Sequence, residues 1–268
     1  MTLTSSCTYF LNIIKVQKNI IVLVRKMEKD RVFADKKERV LPFEFNKEVT
    51  DVFDDMLNRS VPLYAQSIKR QAQLTARYYQ DKSRIYDLGC SHGNLGILIL
   101  EQFKERMFYM VGVDSSRPMI EKYSKRLKKH DNIGQIDLIC GFLEDIQIKN
   151  ASVVIINLTL QFLDTKKRDD LIKKIYQNLN HKGILLLTEK TIHPSKHINT
   201  LQNQFYKKFK VENGYSQLEI SQKRDALDKV LVPDTVETHE KRILKAGFTH
   251  FDVWLKWFNF VSMIAIKK

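Results

Sequence analysis

Cysteine, proline and glycine are all scarce in this chain: 3, 5 and 9 among 268 residues. Cys7, Cys90 and Cys140 are odd in number, widely scattered and without metal-ligand spacing. That excludes a disulfide framework or a zinc module and suits a reducing compartment. So little glycine and proline excludes collagen-like and low-complexity chains. An unbroken apolar run is missing too. The Ile/Val/Leu-rich stretch 10–24 is interrupted by Lys15, Gln17, Lys18 and Asn19, so it falls short of the roughly 20 apolar residues a spanning helix needs. It does not read as a secretory signal, because Arg25 and Lys26 follow the apolar residues and no small-residue cleavage site comes after.

Acidic residues are outnumbered, 31 against 45 Lys and Arg, for a net charge of +14. Residues 1–27 supply +4 of this through Lys15, Lys18, Arg25 and Lys26. The surplus suits an acidic partner. Many lysines, however (Lys122, Lys125, Lys128, Lys129, Lys173 and Lys174), stand singly on expected helix faces, the pattern of a solvated surface. Residues 1–30 are set apart as an N-terminal extension of unassigned role, either an appended basic element or sequence upstream of a start at Met27. Residues 31–268 form the expected single catalytic domain.

Helical spacing of apolar residues covers 44–80, with Ser60-Val61-Pro62 dividing two helices. Short apolar strands then alternate with amphipathic helices. Strands are expected at 84–88, 110–114, 135–140, 152–157 and 184–188, and helices at 93–103, 117–129 and 166–179. This alternation predicts a parallel sheet covered on both faces. Residues 194–232 offer two further helices, the second opening on the capping box Ser216-x-x-Glu219. A third helix runs from Pro233 or Asp234 and ends before Gly247. Strands 248–255 and 258–266, joined around Lys256-Trp257, suit an antiparallel hairpin.

Four stretches fall at the carboxyl ends of successive strands, where open α/β sheets bind ligands. Asp87-Leu88-Gly89-Cys90-Ser91-His92-Gly93 is a strand-to-helix turn in which glycine lets backbone approach a ligand. Asp114, about twenty-five residues on, suits a ribose diol, or else caps the next helix. Glu144-Asp145-Ile146 follows the third strand, and Asn157-Leu158-Thr159-Leu160-Gln161-Phe162 the fourth. Together they resemble the cofactor constellation of class I S-adenosylmethionine (SAM)-dependent methyltransferases. The implied fold is a Rossmann-like, mostly parallel seven-stranded sheet with an antiparallel C-terminal hairpin and extra helices. A nicotinamide enzyme would want glycine where Ser91 stands, or a related G-x-x-x-G-x-G spacing, and would not need Asp145 or Asn157.

A narrower resemblance rests on Phe53-x-x-Met56-x-x-Arg59-Ser60-Val61-Pro62-x-Tyr64, Tyr86-Asp87-Leu88-Gly89-Cys90-Ser91, Asn157-x-Thr159-Leu160-Gln161-Phe162-Leu163, Asn213-Gly214-Tyr215-Ser216-x-Leu218-Glu219-Ile220-Ser221-Gln222-Lys223-Arg224 and Asp234-x-Val236-Glu237-Thr238-His239. Over residues 40–268 the chain is similar to the carboxy-S-adenosyl-L-methionine synthases of the tRNA wobble-uridine pathway. The resemblance implies that SAM is a substrate whose sulfonium methyl is carboxylated. Prephenate supplies the carbon dioxide and leaves as phenylpyruvate and water. Positive sulfur stabilises the carbanion, and a dry site protects it; the departing prephenate hydroxyl would accept the methyl proton. The resemblance further implies that Gly89, Cys90 and Ser91 approach the methionine and ribose portion, Asp114 and Ser115 hold ribose, and Asp145 and Ile146 meet adenine. Tyr64 and Asn157 border the methyl group, and Arg224 clamps the new carboxylate. Tyr64, Asn157 and Arg224 are thus the catalytic candidates. No metal is implied. The expected assembly is a cytoplasmic homodimer that feeds a separate tRNA carboxymethyltransferase, with no need for direct nucleic-acid or membrane contact. The alternatives are a conventional SAM-dependent methyltransferase acting on RNA or a small acid, or a SAM-binding scaffold without turnover.

Other visible residues read as structural. His193 and His197 share a metal-like spacing, but Pro194 lies between them and no H-E-x-x-H glutamate is present. Cys90 has no base beside it in sequence and reads as small and structural. His92 is not needed to explain its loop. Trp254, Trp257, Phe258 and Phe260 suit packing or a subunit interface better than base stacking.

Overall fold

A computed structural model describes residues 28–104, 106–130 and 134–268. Cys7, residues 1–27 and the expected start at Met27 lie outside the described residues.

The apolar strands assemble as expected. β1 (Arg84–Leu88), β2 (Tyr109–Asp114), β3 (Gln135–Cys140), β4 (Ala151–Asn157) and β5 (Leu179–Lys190) run parallel. β7 (Phe260–Ile266) is antiparallel to both β5 and β6 (His250–Trp257), in the order β3-β2-β1-β4-β5-β7-β6. Alternate side chains feed two cores, so the central strands are apolar at nearly every position. Leu88, Val154, Ile156, Leu185 and Leu187 enter one core, which packs on α5 (Thr165–Asn178) and α8 (Val236–Ala246). Ile85, Val153, Ile155, Ile184 and Leu186 enter the other, beneath α2 (Tyr64–Tyr78) and α3 (Asn94–Phe103). Strand order reverses at β1 and β4, which places the ligand crevice over their carboxyl ends.

A third core ties the segment around Phe33 and Phe43 to α1 (Lys47–Ser60), to Met119 of α4 (Arg117–Leu127) and to Ala226 of α7 (Gln217–Leu227). Asn46 caps α1 by accepting from the Val49 N–H at 3.1 Å. Ser216 and Glu219 form the expected capping box on α7. α6 (Lys196–Glu212) packs its aromatic face on the final hairpin, with Phe205 stacked on Phe258 at 4.8 Å and Phe209 against Trp257 at 5.4 Å.

Two expectations shift. Lys256 and Trp257 belong to β6, paired with Val261 and Phe260, and the hairpin turns at Phe258-Asn259 with Phe258 at φ 44°. β5 starts at Leu179, directly after α5, because Leu179 pairs with Ala151 ahead of a register shift in which residues 180–183 of β5 loop out before Ile184 pairs with Val153.

Candidate active site

The β1–α3 turn is built by backbone conformation. Gly89 has φ +89°, and a Cβ there would lie 2.1 Å from Thr159 Oγ1. Only glycine therefore lets the β1 and β4 loops meet. Ser91, two residues after Gly89, adopts φ 47°. Local bonds support that left-handed geometry: Ser91 Oγ accepts from the His92 N–H at 2.6 Å, and the Ser91 N–H donates to Asp114 Oδ2 at 2.9 Å. Asp114 Oδ1 also accepts from the Ser116 N–H at 2.8 Å. Ser116, not Asp114, caps α4, which leaves Asp114 bridging two loops at the crevice.

These loops enclose a cavity of about 250 Å³. Tyr64, Gly89, Cys90, Ser91, Asp114, Ser115 and Asn157 all line it, so seven of the residues expected at the site meet there. Asp145 and Ile146 do not; the turn after β3 lines the cavity with Gly141, Phe142, Leu143 and Glu144 instead. Arg224 also lies outside the cavity. It lines a neighbouring chamber of about 820 Å³, and its guanidinium pairs with Asp225 at 2.8 Å. The two spaces share a wall of Phe45, Phe53, Leu57, Leu158 and Phe162.

Burial sets the electrostatics. Asp87 is 2% exposed and its Oδ2 has no hydrogen-bond partner among the described residues. Burial, reinforced by Asp114, pushes its carboxyl up to about 7. An orphaned acid lining this cavity suits an ammonium group, such as the one on the methionine end of SAM. Burial also raises Asp114, against the two N–H groups that favour its charge. The Cys90 thiol is pushed well up by burial and by both acids, so it is no nucleophile. Tyr64 is likewise raised by burial, and its hydroxyl accepts from Asn94 Nδ2 at 3.3 Å. Asn157 Oδ1 accepts from Gln71 Nε2 at 3.3 Å, which holds an amide that lines the cavity.

One side chain holds the whole β4 turn. Buried Glu189 on β5 accepts from the N–H groups of Thr159, Leu160 and Gln161 at 3.1, 2.8 and 3.2 Å. His92 is fully buried, with Nε2 3.1 Å from Asp54 Oδ1 and its ring edge-on to Phe53. It braces the loop from behind and does not line the cavity. His193 Nδ1 accepts from the Ser195 N–H at 3.0 Å, and His197 is exposed. Among the described residues no group of His, Cys, Asp and Glu is placed to hold a metal ion, and no helix is long and apolar enough to cross a membrane.

The sequence passes over three features of this site: the partnerless oxygen of Asp87, the shared aromatic wall and the lysines of the second chamber. For Asp87 the signal was present, since it opens the glycine motif.

Residues 85–183 match the methyltransferase domain family. Among solved structures, an O-methyltransferase family protein from Burkholderia thailandensis aligns with TM-score 0.59 at 15% identity, over 86% of this chain and 65% of that one. The cyclopropane synthase MmaA2 from Mycobacterium tuberculosis aligns at 0.51 and 16%, over 69% and 62%. These likenesses concern the fold, which is Rossmann-like. Curated relatives reach further. The carboxy-S-adenosyl-L-methionine synthase of Desulforapulum autotrophicum is 56% identical over 241 residues, 90% of this chain and 98% of its own. That of Shewanella baltica is 43% identical over 90% and 99%. Identity at this level over nine-tenths of the chain makes this enzyme a member of the carboxy-S-adenosyl-L-methionine synthase family.

Proposed function

We propose that the enzyme carboxylates the sulfonium methyl group of SAM with the carboxyl lost from prephenate, releasing phenylpyruvate and water. The observation that supports this beyond kinship is the pairing of an acid-lined cavity with a larger, cation-lined chamber across one aromatic wall. A cationic substrate and a dianionic co-substrate need such a division. The atoms balance: prephenate gives up carbon dioxide and hydroxide as its ring aromatises, the methyl carbon gains the carboxyl, and its lost proton joins the hydroxide. The chain's residues then bind, orient and exclude water.

Gly89, Cys90 and Ser91 offer close backbone approach, Asp114 and Ser115 the ribose contacts, and Asp87 the ammonium contact. Tyr64 and Asn157 border the reacting methyl group. Asp145 and Ile146 remain the proposed adenine neighbours, with Phe142 and Leu143 presenting apolar surface beside them. Arg224 clamps the new carboxylate in a cytoplasmic homodimer, whose product serves a tRNA carboxymethyltransferase. Tyr64 stays protonated at neutral pH, and Cys90 stays a thiol. Neither is the proton acceptor, which fits a reaction whose own hydroxide takes the proton.

Incubation with SAM and prephenate, followed by mass spectrometry, should yield SAM bearing one added carboxyl. Methyl transfer to an acceptor with no such product would overturn the proposal. Arg224→Ala should weaken carboxy-SAM about a hundredfold, the scale of a bidentate charged pair, and SAM by less than about twofold. Equal losses would remove Arg224 from its role.

A further inference from the structure

Beside Lys207 and Arg224, the second chamber holds buried or half-buried cations of two kinds. Lys223 is neutralised and structural: its Nζ lies 3.4 Å from Asp30 Oδ2 and 3.1 Å from Ser60 Oγ. Lys190, at the end of β5, and Lys210, on α6, have no carboxylate or hydrogen-bond partner for their ammonium groups among the described residues. Both instead face the ring of Tyr206, with Nζ 5.2 and 4.3 Å from its centroid. Lys210 is only 9% exposed.

Such a pair is costly in the free protein, because a cation–π contact returns only part of the hydration lost. Burial, then Lys190, Lys223, Arg224 and Lys207, push Lys210 down to about 7; Lys190 is lowered by burial and opposed only by Asp228. Apolar neighbours complete the space: Phe45, Phe162, Ile220, Leu231 and Phe260 line the same chamber. Buried positive charge beside an apolar surface defines a ligand that carries both carboxylate and ring.

We infer that Lys190 and Lys210, with the Tyr206 ring between them in the lining, form the carboxylate-binding subsite for a small cyclic dicarboxylate co-substrate. Resting on the proposed function, this places prephenate against α6, in the chamber that shares Phe45, Phe53, Leu57, Leu158 and Phe162 with the cavity proposed for SAM. It also separates the roles of the cations. The two lysines hold the co-substrate before reaction, and Arg224 serves the carboxylate formed by it.

The test compares Lys190→Met and Lys210→Met with the parent enzyme, with Lys190→Gln and Lys210→Gln as polar versions should either Met variant melt early. Lys208→Gln, on the exposed face of the same helix, is the control. Prephenate and phenylpyruvate, which has one carboxylate fewer, are titrated calorimetrically, and SAM is titrated separately. Each lysine variant should bind prephenate about tenfold more weakly, the worth of one charged hydrogen bond. Preference for prephenate over phenylpyruvate should shrink, the KM for prephenate should rise more than kcat falls, and SAM affinity should hold within about twofold. Unchanged prephenate binding, or equal loss of SAM and prephenate, overturns the inference. If the parent enzyme makes carboxy-SAM and the variants keep its KM for prephenate, the inference fails alone. If the parent binds prephenate through these lysines yet makes no carboxy-SAM, the proposed reaction fails and the subsite stands.

Discussion

The cavity at the strand ends and the chamber beneath α6 and α7 stand on either side of one aromatic wall, yet different parts of the chain build them. Asp87, Asp114 and Glu144 bring carboxylates to the first; Lys190, Lys207, Lys210 and Arg224 bring cations to the second. The acids sit where a parallel sheet always ends its strands, within the segment 85–183 that matches the broad methyltransferase domain. The cations come from the end of β5 and the two helices inserted after it, beyond that segment. The first region thus lies at the strand ends of the segment that matches a broad domain family, and the charged lining of the second comes from outside that segment.

The contrast is broken most severely at the loop that only the first region needs. Gly89→Ala forces a Cβ into Thr159 and an L-residue into a left-handed conformation. SAM affinity should fall about a hundredfold by calorimetry, corresponding to roughly 3 kcal/mol of clash and backbone strain, while prephenate binding is spared. A gentler change sharpens the charge argument. Asp87→Asn should cost about tenfold in SAM affinity, since a charged partner for the ammonium becomes a neutral one. Its pH signature follows from the carboxyl being raised to about 7 in the folded protein. The protonated acid favours folding fully below about pH 4, and that contribution is lost as pH rises through 7. Melting of the free protein across this range should flatten in Asp87→Asn, and SAM affinity should cease to improve as pH passes 7.

The change that should leave ligand affinity least altered tests the frame of the second chamber. Tyr215 bonds Asp30 and lies 3.3 Å from Lys223 Nζ, linking the start of α7 to the segment before α1. Tyr215→Phe should cost about 1–2 kcal/mol of stability in denaturant melts and leave SAM affinity unchanged.

Much of the architecture was legible because physics writes it as pattern. Central strands buried on both faces must be apolar throughout, so Val153–Ile156 and Ile184–Leu187 declared themselves. The carboxyl ends of those strands then located Gly89, Asp114 and Asn157. Tertiary partners leave no such trace. Lys122 donates to the Thr50 and Asp51 carbonyls and Lys174 to the Glu144 carbonyl, although both look like solvated helix lysines in sequence. Lys190 and Lys210 are equally anonymous until the fold withdraws their water. The hairpin turn was misplaced by two residues because Phe258, an aromatic residue, takes the left-handed conformation expected of glycine or asparagine. The turn after β3 offered Glu144 and Asp145 side by side, and only its three-dimensional course brings Glu144 to the lining and leaves Asp145 exposed.

Glu189 gives the wall between the two regions an unusual kind of permanence. The amides of Thr159, Leu160 and Gln161 belong to a single turn of 3₁₀-helix, which alone would open readily and exchange its protons with solvent. Their acceptor lies on β5, an interior strand of the sheet. Releasing them means breaking into the sheet, so deuterium should enter this loop as slowly as it enters the strands beside it.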